Sequence, residues 1–414
     1  MDSMTKNTFT AFFLLLPLLL LAQGLQVETL LELDASGGVT FGPDGNVYVS
    51  DFGPALGQAS VNTKVYKLEY GTWEVSEFAS GFAGASGATF DSQGNFYQSN
   101  PSGGRVSKIT PDGTVNLNWV TTGLSAPIGI VADEEDNLFV CNCGNNTIRK
   151  ITPQGLSLPF AASVLFDCPN GLTRDPDGNL YACNFSDGRI LKITPDGSVS
   201  LLTNLPNLNG GVGNGHLTYS NGFLFVATIG GGEIYKLSLD GEKEKIAGVF
   251  AQFTNNDGPA LEATFSKPNG IAASMTGDTL FVNCTVPGWN VSNSALHPGL
   301  VRMITGVCSL PDVDCPLPTD TEALAPVPVA NLIRISPNPF LDHTQITYEL
   351  DQPQMIRIQV RNGQGKLLYT LEEGWQLAGR HTTDLPLTNW PGGLYFLQFE
   401  AAGLSIIRKM IKIN

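Results

Sequence analysis

The chain has 414 residues, of which 46 are glycine and 26 proline, so turns must be frequent, long helices few and a single ordinary core insufficient. Its formal net charge is −15, with 38 Asp and Glu against 23 Lys and Arg. That balance excludes a surface made for nucleic acid or anionic lipid, and it favours cations and solubility.

At the N-terminus, Lys6 precedes an apolar run from Phe9 to Ala22 that contains Pro17, and Ala22 and Gly24 are spaced as for signal peptidase. Residues 1–24 therefore read as a signal peptide, with Met4 as an alternative start. The apolar run is 14 residues long, too short for a membrane span. No integral membrane segment is expected after processing.

Residues 25–310 repeat one unit. The strands GNVYVSD (45–51), GNFYQSN (94–100), DNLFVCN (136–142), GNLYACN (178–184), GFLFVAT (222–228) and DTLFVNC (278–284) start 49, 42, 42, 44 and 56 residues apart. Each has an upstream strand opening at glycine, such as PNGLTR, a downstream partner such as RILKITPDG, and a more variable fourth strand. One such hairpin cannot bury its own apolar face, so the units must stack. The expected fold is all-β: a six-bladed β-propeller of four-stranded blades, followed by a small C-terminal β-sandwich. The sixth unit lacks a fourth strand of its own, and VETLLEL (27–33) is expected to supply it and close the ring. The segment from Asp175 to Asn179 has calcium-loop spacing without the later glutamate. Its Pro-Asp-Gly recurs at 43–45, 111–113 and 195–197, which reads as hairpin-turn chemistry.

Two rows of equivalent positions should converge at one mouth of the channel. Before the glycine of each innermost strand stand Gly37, Ser86, Ile128, Asn170, Asn214 and Asn269. At the strand exits stand Asp51, Asn100, Asn142, Asn184, Thr228 and either Asn283 or Cys284. Asn170, Asn214, Asn269, Asn142 and Asn184, with His216 beside Asn214, are the candidate ligand-binding residues. Asn170, Asn269 and Asn184 are the candidate donors for a divalent cation, calcium or magnesium. The same amides could instead hold a sugar or lactone, or cap strand ends.

Of the seven cysteines, Cys141 and Cys183 occupy equivalent strand positions and read as packing thiols, while Cys308 and Cys315 are the best candidate bridge. No spacing fits a zinc site. Residues 311–331, with PLPTDTEALAPVPVA at 316–330, read as a proline-rich linker. Residues 332–414 alternate as short strands and carry 8 basic and 7 acidic residues, which leaves −16 on the remainder.

Three resemblances follow from these motifs. APIGIVADEEDNLFVCNCGNNTIRKITPQG (126–155) resembles an NHL repeat, and IAGVFAQFTNNDGPALEATFSKPNGIAA (246–273) its long inter-blade form; this implies a propeller over residues 26–306. PNGLTRDPDGNLYACN and PNGIAASMTGDTLFVNC are similar to the metal-site segments of the gluconolactonase and senescence-marker family. That likeness implies lactone opening at a divalent cation. The family's first-blade glutamate corresponds here to Gly37, and its later aspartate to Asn184, Asn283 or Cys284. Finally ISPNPFLDHTQITYEL (335–350), VRNGQGKLL (360–368), LAGRHTTDL (377–385), PGGLYFLQF (391–399) and RKMIKIN (408–414) resemble the type IX secretion sorting domain of Bacteroidota. That implies passage through the periplasm, handling by the type IX machinery through residues 332–414, and release or attachment at the surface. The expected function is a secreted or surface-attached binding module for an unidentified extracellular ligand, with a divalent-metal-dependent lactonase as the alternative.

Overall fold

The computed structural model describes residues 24–56, 60–207, 212–285, 295–315, 333–341, 343–350, 354–362, 366–376, 379–385, 390–401 and 404–413. The signal-peptide reading, apart from Gly24, and the linker sequence at 316–330 lie outside the described residues.

The described residues between 26 and 305 form six antiparallel sheets, five of them in simple up-and-down order. The inner strands, Val39–Phe41, Ala88–Phe90, Pro127–Ala132, Pro169–Arg174, Asn214–Ser220 and Ile271–Ala273, touch one another in a closed ring. Ring closure is made as the repeat count requires: Gln26–Glu32 pairs antiparallel with Gly299–Thr305, setting Val27 opposite Ile304. The sixth sheet is thus built from both ends of the repeat region.

Apolar alternation explains why the blades stack. Second strands such as Leu138–Asn142 and Leu180–Asn184 are buried along their whole length, because each is covered by a neighbouring blade on both faces. The core is therefore six apolar layers, one in each seam. Leu172, Ala182 and Leu191 of blade four meet Phe139, Cys141 and Ile148 of blade three in one such layer.

The inner ends of the blades come too close for side chains. A Cβ on Gly129 would lie 2.4 Å from the carbonyl oxygen of Asn170, and one on Gly171 would lie 2.8 Å from the Cα of His216. Glycine is thus a steric requirement at the start of most inner strands.

The hairpin turns carry a repeated clasp. The Asp91 carboxylate accepts from the Asn95 amide N–H at 2.8 Å, from its side chain at 2.7 Å and from the Tyr97 hydroxyl at 2.9 Å. Asp175 repeats it with Asn179 and Tyr181. Both Asp175 oxygens are thereby committed within the turn, so the structure shows hairpin chemistry there. In blade one Gly42 stands where blades two to four have the aspartate, and Asp44 takes over the bonds to Asn46 and Tyr48. Burial raises its pKa, but Lys67, Asn46 and Tyr48 together hold the carboxyl below its usual range.

Cys308 and Cys315 are bridged, as is a second pair, Cys143 and Cys168, that spacing alone did not reveal. Cys141, Cys183 and Cys284 are free and buried. The C-terminal region contains a three-stranded and a four-stranded sheet, whose side chains, among them Ile346, Tyr348, Ile358 and Leu397, share one core. Among the described residues no helix is long and apolar enough to cross a membrane.

Candidate functional site

All six blades contribute to a cavity of about 470 Å³ at one mouth of the central channel. Its wall is apolar: Phe52, Leu56, Ile128, Phe185, Ile229 and Leu296 face it. Polar groups enter from Ser86, Asn170, Asn269 and Lys267. The Cys143–Cys168 disulfide joins blades three and four at its rim.

A backbone device aims side chains into this space. Two residues before the first row, the chain turns left-handed in blades two, three, four and six: Gly84 at φ 72°, Ala126 at 45°, Cys168 at 52° and Lys267 at 48°. That conformation is uncommon for residues with a Cβ. Ala126, Cys168 and Lys267 all line the cavity. Lys267, which puts a cation into the site, is not among the residues that the sequence motifs single out. The signal available was register: Lys267 stands two residues before Asn269, as Cys168 stands before Asn170.

Four of the five predicted asparagines divide into two sets. Asn170 and Asn269 line the cavity. Their amide N–H groups span to the next blade, from Asn170 to the Gly215 carbonyl at 2.6 Å and from Asn269 to that of Ser36 at 2.7 Å. This fixes the orientation of each amide, and among the described residues neither Oδ1 atom accepts a hydrogen bond. The other set latches loops. Asn142 donates to the Gly123 carbonyl at 3.0 Å and accepts from the Ser125 amide at 3.1 Å, while Asn184 donates to the Leu165 carbonyl at 2.9 Å.

Asn214 is out of step with Asn170. It pairs with Thr228, whereas in blade four Pro169 pairs with Asn184, because the blade-five hairpin turn is one residue shorter. Gly215 takes the place of Asn170, and His216 that of the ring glycine. In the last blade Cys284 belongs to the exit row. Asn283 points inward, accepting from the Gly270 amide at 2.7 Å and donating to the Ala35 and Gly37 carbonyls.

His216 lies in the other half of the channel, beside a second, polar cavity of about 230 Å³. Burial pushes its pKa down to about 4, so the ring is neutral at physiological pH, and among the described residues the buried Nε2 has no hydrogen-bond partner. His297 pairs with Asp51 at 2.9 Å across the seam of blades six and one. Lys267 is 1% exposed, and burial pushes its pKa down to about 8. Its Nζ donates to the Ala295 carbonyl at 2.8 Å.

Among the described residues no three His, Cys, Asp or Glu side chains gather to hold a metal. The cavity offers neutral amide oxygens from Asn170 and Asn269 with a lysine in the same wall, and Asn184 is not part of its lining. Calcium and magnesium sites depend on carboxylate charge. The described donor set does not fit such an ion.

No curated protein matches the chain. Among solved structures, virginiamycin B lyase from Staphylococcus aureus is 18% identical with a TM-score of 0.48, covering 68% of this chain and 98% of that one. A protein of unknown function from Bacteroides thetaiotaomicron is 16% identical with a TM-score of 0.51, covering 68% and 76%. A gluconolactonase from Xanthomonas campestris is 13% identical with a TM-score of 0.47, covering 69% and 87%. At these identities such likeness speaks to fold alone. The family model for secretion system C-terminal sorting domains matches residues 334–414, which marks the chain for type IX export to the cell surface or the medium. The model of the virginiamycin B lyase family matches residues 27–251, more than half of the chain. The protein belongs to the virginiamycin B lyase family, and it carries a type IX sorting domain behind its propeller.

Proposed function

We propose that the propeller is an extracellular binding module whose mouth takes an organic molecule with an apolar body and at least one hydrogen-bond donor. The observation that carries this reading is the cavity itself: apolar side chains from most blades enclose it, and the free amide oxygens of Asn170 and Asn269 stand in its wall. Apolar burial supplies affinity, and a few placed polar groups fix orientation. A hydroxyl or amide N–H on the ligand satisfies the two acceptors.

The test is a titration of the secreted chain with Nile red, a neutral apolar dye, by fluorescence. One saturable site is expected, abolished by Ile128→Trp while thermal unfolding stays within a few degrees of wild type. Unchanged dye binding in that variant sinks the reading.

A second reading, an enzyme opening a cyclic ester, draws support from family membership in a group named for a lyase and from Lys267. An amine with a pKa of about 8 is close to the optimum for a general base near neutral pH. Turnover of a δ-lactone or a cyclic depsipeptide, lost in Lys267→Met, supports that reading; no product from either removes its support.

A further inference from the structure

We infer that the mouth cavity selects neutral ligands whose polar end is a primary carboxamide, its two N–H donors answered by the side-chain oxygens of Asn170 and Asn269. This rests on the proposed binding function and names the chemical class of its ligand.

The two asparagines are fixed as acceptors by their partners. Asn170 Nδ2 donates to the Gly215 carbonyl at 2.6 Å, and Asn269 Nδ2 to those of Ser36 and Gly37 at 2.7 and 3.3 Å. Every one of these partners is a carbonyl, which only accepts, so turning either carboxamide over would set oxygen against oxygen. The nitrogens therefore face the backbone, and each Oδ1 is left as the acceptor. Among the described residues neither oxygen has a donor, although Asn170 is only 5% exposed. An acceptor buried without a donor is costly, and a ligand that supplies one recovers that cost.

The two oxygens also belong to one side of the mouth. Asn170 and Asn269 stand in blades four and six, and both meet Gly215 of blade five: its carbonyl takes the Asn170 N–H, and a Cβ on it would lie 2.9 Å from Asn269 Oδ1. Gly215 itself puts no side chain between them.

Charge and donor count exclude the alternatives. Among the described residues that line the cavity none is Asp or Glu, so an alkylammonium finds no counterion there. The Lys267 charge in the same wall repels it as well, in a medium of low dielectric. Lys267 is itself engaged, with the Ala295 carbonyl at 2.8 Å among its partners. A carboxylate or an ester brings only acceptors to two acceptor oxygens. A hydroxyl brings one donor and leaves the second oxygen unanswered. A primary carboxamide is uncharged and carries two donors on one nitrogen, its own carbonyl is left to water at the open mouth, and the apolar wall takes its tail.

The experiment titrates the full secreted chain by calorimetry at pH 7 with octanamide, N-methyloctanamide and N,N-dimethyloctanamide, which offer two, one and no N–H donors on the same carbonyl and tail, and with octylammonium. Binding is expected to weaken by about fivefold for each N–H removed, and octylammonium is expected to bind more weakly than octanamide. In Asn170→Ala and in Asn269→Ala, each checked for a cooperative thermal unfolding transition, the preference for octanamide over the dimethyl amide is expected to fall by about fivefold. One folded variant is enough for the test. Equal binding of the three amides to the wild type, or tighter binding of octylammonium than of octanamide, overturns the carboxamide inference and leaves the binding function standing. A preference unchanged in both variants shows that the added methyl groups clash rather than that donors are lost, and it overturns the assignment. Failure of all four probes to bind overturns both readings.

Discussion

Asp91 shows how one side chain serves the fold in a region whose acidity invites other readings. Its carboxylate gathers donors from Gln93, Asn95 and Tyr97 within a single turn. In Asp91→Ala those donors are left in a largely buried site, and a loss of about 3 kcal/mol is expected in urea unfolding. Tyr97→Phe, which removes only one donor, is expected to cost about 1 kcal/mol. Equal losses in the two variants refute the clasp. The clasp was half legible in sequence: Asp-x-x-Gly-Asn-x-Tyr reads as a turn, but the bond from tyrosine to aspartate needs the strand's pleat to bring the hydroxyl back. Lys267 was not legible as a site residue, because a lone lysine before Pro268 carries no motif. Its meaning comes only from the left-handed turn that aims it.

At the level of strands and turns, the repeat spacing was enough to set out six units and the borrowed closing strand. The register within blade five was not. A hairpin turn shorter by one residue moves Asn214 out of the asparagine row, and only the pairing with Thr228 reveals it. The same limit hid the bridge from Cys143 to Cys168. Those residues are 25 apart in sequence and belong to different blades, so nothing local links them. Closing a loop of that length is worth about 3 kcal/mol by the chain-entropy estimate. The double variant Cys143→Ser with Cys168→Ser is expected to lose about that amount in denaturant unfolding, and to be cleaved faster by protease at the seam of blades three and four. Cleavage at an unchanged rate shows that the seam holds without the bridge.

The whole ring depends on the seam between the last blade and the first. There His297 bonds Asp51 at 2.9 Å, with Asp34 nearby. Burial lowers the His297 pKa, but the bond to Asp51 and the charges of Asp51 and Asp34 outweigh it and raise the pKa above its ordinary value. A histidine with a raised folded pKa adds stability that is fully present below its unfolded pKa, near 6.5, and is lost as pH rises through the folded value. The difference in melting temperature between wild type and His297→Gln is therefore expected to be largest at pH 6 and to shrink towards pH 8.5. A difference that does not change with pH refutes the charge pairing. Taking the difference between the two proteins cancels the separate titration of Lys267.

Gln26 lies directly opposite Thr305 in the closing sheet. The propeller thus has no intrinsic beginning. A short peptide joining those residues, with a new break placed in any loop between blades, gives a rearranged chain that makes the same six seams. The natural order has a temporal effect as well. The first strand to be synthesised cannot find its partner until nearly three hundred residues later, so the ring stays open until the last blade exists.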